Sequence, residues 1–600
     1  MTEPTFTVQP NLLRLPTNGI TVIFSVWFCL GMLWYIPNNG GSGLALPLNA
    51  LCWMVIAISL VWMVLTLRRE FLLLPSKMFA PSPLWLLPLG AVLWSLPLIW
   101  SPCPTARYES LPHVVALWGF LGLFWWLRRL PNQMTRQPWL TLLWIAALLQ
   151  GVFAFMQATV LAHYGDSFIT RPMGIFQQPN VLASFLSTGL ACLFASECLD
   201  PNAKSQTKGS RVLRAVALIF IPFMLVLVQS RAGWLGALLA VATISLIDYQ
   251  TNRTNAVRLR TMWLLMLSGT LLALAWQYGV FASLFSRTSS YVGVLQLPEQ
   301  FSIVNKAGSN SARVFIIQQT WQMIMHHPWV GSGYGSFEGA FTRQVATLGD
   351  YTGESTLIHP HNELLYAWAE GGILAAIGLI MMVTGILAML WRSKGLGWTG
   401  LALLLPIALH MNLEYPLYQS VPHGLVLVML LNIVLPGREC TPQYIYAQKN
   451  KNKYKVYFVQ LMTLSVCIVA LFFMAGCLQT QNILTDIEQH EMYPLALDEK
   501  NVEESLWNPQ SQVTRLEYDK HIAKLIRFNM TRDRHLLEQF EAWAAGFQQL
   551  HRDPNVMASR MRIAQYINPK QFYALCNEGR RLWSTDPRFQ CRPLVQENIK

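Results

Sequence analysis

Charge is what this sequence has least of. Only 12% of its 600 residues are Asp, Glu, Lys or Arg, against about 25% in a soluble globular chain. The few charges fall in short clusters between apolar runs of roughly 17–25 residues, the length that crosses a hydrocarbon core. A cysteine spacing of the metal-binding type is also missing. The ten Cys lie mostly inside apolar runs, where they act as small hydrophobes. No basic stripe runs along one element, so the net charge of +13 does not point to nucleic acid. Met1–Gly19 is polar and short, and no small-residue cleavage site follows the first apolar run. That run is therefore expected to be a signal anchor and not a cleaved signal peptide. Phe-Met-Ala-Gly-Cys at 473–477 resembles a lipid-attachment box but ends an internal span, and is read as chance.

What is abundant is apolar: 53% of residues are hydrophobic, and 23 Trp and 19 Tyr often flank the runs, as interfacial anchors do. The runs fall at about 20–36, 44–66, 84–100, 111–127, 139–161, 181–197, 212–229, 232–247, 262–283, 363–391, 396–411, 420–435 and 456–476. The stretch 212–247 has to be two spans. One helix of that length would run about 54 Å at 1.5 Å per residue, against a core of about 30 Å. Alternate loops carry nearly all the bases: Arg68, Arg69 and Lys77, then Arg128, Arg129 and Arg136, and so on to Lys449, Lys451, Lys453 and Lys455. The short loops between them hold only Arg107, Arg171 and Arg231. The positive-inside rule then puts the N-terminus in the cytoplasm and the C-terminus outside.

The predicted fold is an all-α polytopic membrane protein with about thirteen transmembrane helices. Residues 1–19 form a cytoplasmic N-terminus, 20–283 helices one to nine, and 284–362 a large outer loop. Helices ten to thirteen follow at 363–477, and a helical outer domain at 478–600. In that tail Leu516, Tyr518, His521, Ile522, Leu525 and Ile526 approximate one helical stripe. Leu536, Leu537, Phe540, Trp543, Ala544 and Phe547 form another. Cys576 and Cys591 would face an oxidising compartment, where they could pair or stay as two thiols.

The polar motifs gather at one membrane level, on the outer side. Arg231 sits between two apolar runs, where a charge marks a site unless it snorkels to headgroups. Arg313 opens the helical stretch Val314–Met325, which ends in the glycine-rich turn His326–Gly335. An Arg beside helix-opening donors can hold phosphate. His359 and His361 lie at i and i+2 around Pro360, without the further clustered ligands that zinc needs. Histidine ordinarily titrates near neutral pH and suits a general base. Gln177-Gln178-Pro179-Asn180 opens the sixth span, and Asn412 to Tyr418 fills the turn between the eleventh and twelfth.

In this order Phe176-Gln-Gln-Pro-Asn-Val-Leu-Ala183, Gln229-Ser-Arg-Ala-Gly233, Arg313 with His327–Gly335, His359-Pro-His-Asn-Glu363 and Leu413-Glu-Tyr-Pro-Leu417 resemble the O-antigen ligase and polymerase superfamily. Within it the chain looks most like the bacterial protein O-oligosaccharyltransferases that glycosylate pilins and other periplasmic proteins. The motifs cover about 170–420, and the tail resembles a carboxy-terminal domain found in some members. The resemblance implies an inner-membrane enzyme acting at the periplasmic face. Its donor would be a glycan on undecaprenyl diphosphate, and its acceptor a Ser or Thr hydroxyl of a periplasmic protein.

By the same resemblance His361 is the essential outer-loop histidine, Arg231 and Arg313 hold the lipid diphosphate, and Gln178 and Tyr415 belong to the protein-glycosylating branch. Gln177 and Tyr418 are adjacent alternatives to the last two. Two arginines make a divalent metal unnecessary, and the outer loops lack the paired Asp that would hold one; no cofactor is expected. An O-antigen ligase acting on lipid A core, or a Wzy-type polymerase, would use the same chemistry. A transporter is the non-enzymatic alternative, and it would place its charges at mid-membrane.

Overall fold

The computed structural model describes residues 14–67, 82–130, 132–159, 171–199, 207–251, 256–278, 309–348, 357–393, 395–435 and 453–590. Among them there is no strand. The helices are α1 Arg14–Cys29, α2 Pro47–Thr66, α3 Leu86–Ser95, α4 Pro104–Leu127, α5 Asn132–Thr159, α6 Pro179–Cys198, α7 Lys208–Val228, α8 Arg231–Thr251 and α9 Ala256–Gln277. After them come α10 Ser309–His326, α11 Phe337–Ala346, α12 Glu363–Arg392, α13 Gly395–Met411, α14 Val421–Val434 and α15 Lys453–Gln489. The tail adds α16 Val513–Thr531, α17 Arg534–Leu550, α18 Pro554–Ile567 and α19 Pro569–Leu582.

Among the described residues ten helical segments are long and apolar enough to cross a membrane, and three shorter apolar helices span Gly19–Leu33, Leu396–Met411 and Val421–Val434. They fall at the apolar runs read from the sequence, and the chain is an all-α multi-pass membrane protein. The last long helix, α15, has no break at Cys477. Cys477 lies buried inside it, so the lipid-box pattern is part of a continuous helix.

The chain divides into two compact units. The first comprises Met1–Leu87, Leu117–Val304 and Val383–Leu478, and α6 is its centre: 94% of its apolar stretch is buried. Lipid supplies no hydrophobic force between helices, so close packing of small residues and interhelical hydrogen bonds must hold them. Helix α6 meets that need with Ala183, Ser184, Ser187 and Gly189 on its packed faces. A Cβ at Gly189 would come within 2.1 Å of the Ala147 Cβ on α5, and one at Gly233 within 2.6 Å of the Ala183 Cβ. Ser187 Oγ donates to the Gly233 carbonyl at 2.7 Å. Ser184 Oγ lies 2.9 Å from His423 Nε2 of α14. Arg214 of α7 pairs with Glu197 and donates to Ser196 Oγ, both near the end of α6.

The second unit comprises Pro88–Ala116, Asn305–Met382 and Gln479–Lys600. Its α10 and α11 share an apolar cluster of Ile316, Ile324, Phe337, Phe341 and Val345 with Ala369 of α12. Helix α12 breaks at Gly372, where φ is 66° and ψ −165°. The break releases carbonyls that the preceding loop takes up. Ser332 N–H donates to Ala369 O and Gly333 N–H to Glu370 O, each at 2.8 Å; in return Ile373 N–H donates to Pro328 O at 3.1 Å. Only glycine fits this exchange at Gly331, whose φ is +72° and where a Cβ would stand 2.4 Å from Glu370 O. The buried Glu370 carboxylate accepts the Phe337 N–H at 2.8 Å and so caps α11.

In the tail, α16 has two apolar faces where the sequence suggested one stripe. Leu516, Ala523 and Ile526 join Leu484 and Ile487 of α15. Tyr518, Ile522 and Leu525 instead pack on Leu537, Phe540 and Ala544 of α17. The α17 stripe is the one the sequence predicts. Cys576 is buried in a cluster with Met557 and Phe589, while Cys591, its candidate partner, lies outside the described residues.

An ionic bridge ties the tail to the rest of this unit. His551 places Nε2 2.9 Å from Glu109 Oε1 of α4 and Nδ1 3.1 Å from Glu338 Oε2 of α11. Burial would lower the His551 pKa, but hydrogen bonds to the two carboxylates outweigh it and push it up to about 10. A folded pKa above the ordinary 6.5 stabilises the fold fully below pH 6.5, and the contribution is lost as pH rises through about 10. Thermal melts of the wild type and His551→Gln should therefore differ most at pH 6.5 and converge at pH 10. A constant gap would show that the imidazolium is not what the bridge contributes.

Candidate functional site

Three of the five motifs contain a non-glycine residue in the left-handed region: Gln177 at φ 57°, Gln229 at φ 55° and His361 at φ 59°. Such residues cost about 1–3 kcal/mol each and persist only where their surroundings fix them. Each turns the chain sharply just before a helix begins, and so fixes which side chain stands at that helix entrance.

In the first unit, Gln177 ends a short 3-10 turn and Gln178 caps α6, its Oε1 accepting the Val181 N–H at 2.9 Å. The Gln178 Nε2 donates to Glu414 Oε2 at 3.1 Å, and Asn180 Nδ2 donates to Glu414 Oε1. His410 Nε2, one helical turn before Glu414, lies 3.2 Å from Oε2. One buried carboxylate thus holds three side chains. It precedes Tyr415, which is half-buried and leads into the Pro416–Gln419 turn.

Gln229 is held from outside its own turn. Arg171 Nη2 donates to Val228 O at 2.8 Å, and Nη2 is 3.5 Å from Gln229 O. A guanidinium on the last carbonyls of α7 satisfies groups that the helix cannot. Its charge also faces Glu414. Ser230 then accepts the Gly233 N–H at 3.3 Å, and Arg231, the first residue of α8, is exposed. Because Gly233 packs on Ala183, the starts of α6 and α8 lie side by side. Gln178 and Arg231 therefore stand at neighbouring helix N-termini, whose dipoles favour anions.

In the second unit, His361 is half-buried and immediately precedes Asn362, whose Oδ1 accepts the Leu365 N–H at 3.0 Å and caps α12. The His361 N–H donates to His359 Nδ1 at 3.0 Å. His359 is 3% exposed, its ring 4.5 Å from that of Tyr366, and its Nε2 is 3.5 Å from Glu363 Oε2. With Nδ1 accepting, a neutral His359 carries its proton on Nε2. This histidine is a support for the backbone of His361, which distinguishes the two. Arg313 lies in the second turn of α10 and does not open it as the sequence suggested, since the helix begins at Ser309. It is half-buried, one turn before Ile316 in the cluster that packs on α12.

Gln178, Arg231 and Tyr415 thus belong to the first unit, and Arg313 and His361 to the second. The sequence marked Arg171 as a loop base and Asn180 and Glu414 as motif members without giving them a role, and His410 went unnoticed. A signal was present in Glu414, an acidic residue at the mouth of an apolar run with a histidine four residues before it. Among the described residues no cluster of three or more His, Cys, Asp or Glu could hold a metal ion.

Glu414→Ala is expected to lower the melting temperature, because each buried polar group left unpaired costs about 1–3 kcal/mol. It should also release Gln178 from its position. Melting curves with an activity assay check this, and unchanged activity would show that the hold on Gln178 is dispensable.

Comparisons with known proteins fall on these segments. A family model described as O-antigen ligase matches residues 215–380. One described as protein glycosylation ligase matches 172–194, and one described as virulence factor membrane-bound polymerase, C-terminal, matches 398–558. The general O-oligosaccharyltransferase of Acinetobacter baylyi (strain ATCC 33305 / BD413 / ADP1) is 26% identical over 313 residues, 48% of this chain and 49% of the relative. The match therefore spans about half the length of that curated relative. All five residues singled out in the sequence lie inside the matched segments, and over these segments the chain is similar to the families described as O-antigen ligase and protein glycosylation ligase.

Proposed function

We propose that this chain transfers an oligosaccharide from undecaprenyl diphosphate to Ser or Thr hydroxyls of periplasmic proteins such as pilin, in the inner membrane of a Gram-negative bacterium. The observation that carries the reading is the match of 172–194, with Gln178 inside it, to the family described as protein glycosylation ligase. The relative's name, general O-oligosaccharyltransferase, supports it from a separate comparison.

In the reaction the acceptor oxygen bonds to the anomeric carbon while the bond from that carbon to the diphosphate oxygen breaks. His361 takes the hydroxyl proton, because an alcohol is a weak nucleophile and a base within reach contributes typically 10²–10⁴-fold. Arg231 and Arg313 meet the charge that develops on the diphosphate. An arginine stays charged when partly desolvated and binds phosphate oxygens with two parallel hydrogen bonds. Gln178 and Tyr415 orient the substrate, with Gln178 held by Glu414. Residues 284–362 and 478–600 lie in the periplasm in this reading.

The deciding experiment expresses the chain with a lipid-linked glycan and a candidate pilin. A mass shift of the pilin is the expected result; laddered lipopolysaccharide instead would favour the ligase or polymerase chemistry of the matches at 215–380 and 398–558. Reporter fusions after residues 70, 130, 205, 255, 394 and 450 should report cytoplasm, and those after 40, 105, 345 and 500 periplasm. A cytoplasmic signal at 345 would put His361 on the wrong side.

A further inference from the structure

Within the second unit, α11, the start of α18 and α19 enclose a cleft of about 450 Å³. Three arginines line it: Arg343 of α11, Arg552, and Arg581 of α19. The single acid among them is Glu578, whose Oε1 is 2.6 Å from Arg552 Nη1. Like charges are thus collected and only one is neutralised there.

Two observations set this collection apart. Burial, and after it the like charge of Arg552, lowers the Arg343 pKa. A fold that needed neither charge there would gain by separating them. Arg552 Nε is buried and has no hydrogen-bond partner. Buried N–H groups are normally satisfied, so the fold's own contacts do not account for this one in the cleft wall. A helix dipole accounts for Arg581 in the last turn of α19 and for Arg343 in the last turn of α11, but not for Arg552, which stands between α17 and α18.

We propose that this cleft binds an acidic segment of a polypeptide partner, with Arg343, Arg552 and Arg581 forking its carboxylates. The guanidinium fork matches a carboxylate with two parallel hydrogen bonds. Thr342 and Asn577, also in the lining, supply donors and acceptors for a main chain. The apolar part of the lining is only Ala346, Ala574 and Leu582, too short to seat an acyl or isoprenoid tail. The volume lies within the range of about 300–1,000 Å³ typical of small-ligand sites, which suits a few residues of peptide. The inference goes beyond glycan transfer and does not depend on it, because binding is measured without donor.

The test uses the full chain in detergent, with fluorescein-labelled hexaglutamate and hexaglutamine as probes. Hexaglutamate should bind, weaken with salt, and bind at least about tenfold more tightly than hexaglutamine. Arg581→Glu and Arg343→Gln should each weaken it by about tenfold. Glu578→Gln should tighten it, a gain that misfolding does not imitate. Unchanged affinity in both arginine variants, or equal binding of the two peptides, would overturn the proposal. So would displacement of hexaglutamate by micromolar inorganic phosphate, which would make this a small-anion site. Binding of phosphatidylglycerol vesicles that Arg581→Glu abolishes, without any hexaglutamate binding, would make the occupant a headgroup and overturn it too.

Discussion

His361→Ala should lose glycan transfer almost completely while the protein still inserts, accumulates and binds donor. A general base contributes typically 10²–10⁴-fold, and an endpoint glycosylation assay would register that as loss. The backbone around His361 says which neighbours share the effect. Its left-handed conformation is held by the His359 ring, which accepts its N–H. His359→Ala should therefore reduce transfer less than His361→Ala does, by letting the turn relax, and His359→Asn, which keeps an acceptor, should recover part of it. A rival account makes His361 a third ligand of the diphosphate. A lost base slows turnover at saturating donor, whereas a lost ligand weakens donor binding. Normal turnover of His361→Ala at saturating donor would sink the base assignment.

The arginines carry the next largest effect. Arg231→Ala and Arg313→Ala are each expected to cut transfer by about 10²–10³-fold, the loss typical when one donor to a developing oxyanion is removed. Lysine should rescue poorly at both positions, because a point charge replaces a planar fork. Arg231 offers a further control. It stands at the first residue of α8, so its replacement removes no buried packing, and the melting temperature should hold while activity falls. If lysine restores full activity at both positions, bidentate binding of the leaving group is the wrong description.

The elements that the sequence made legible are those whose surroundings are set by lipid. An apolar run of span length has one stable solution, since every backbone group must be satisfied within it, and among the described residues each predicted run overlaps an apolar helix. Gln178, Arg231 and His361 were legible for a related reason: a polar residue beside an apolar run stands out. What stayed hidden depends on partners distant in the chain. Glu414 reads as an ordinary turn residue until Gln178 and Asn180, more than two hundred positions away, are seen on its two oxygens. The two faces of α16 were hidden because its apolar residues cover more than one stripe, and only the neighbours α15 and α17 divide them. Gly372 gave no sign of a break, because glycine is frequent in membrane helices.

That break in α12 also sets an order of assembly. The carbonyls of Ala369 and Glu370 accept hydrogen bonds from Ser332 and Gly333 N–H. A membrane core has no water to stand in for such donors, and each unsatisfied group there costs several kcal/mol. Helix α12 therefore cannot reach its native bend in lipid until the segment 328–333 is available to it. Synthesis proceeds from the N-terminus, so that segment leaves the ribosome before Ala369 does, and the donors exist by the time the bend is made. A circular permutant opened between Gly335 and Glu363 would reverse the order, sending α12 into the bilayer ahead of the loop that completes it. The same final contacts would then have to form against the direction of insertion.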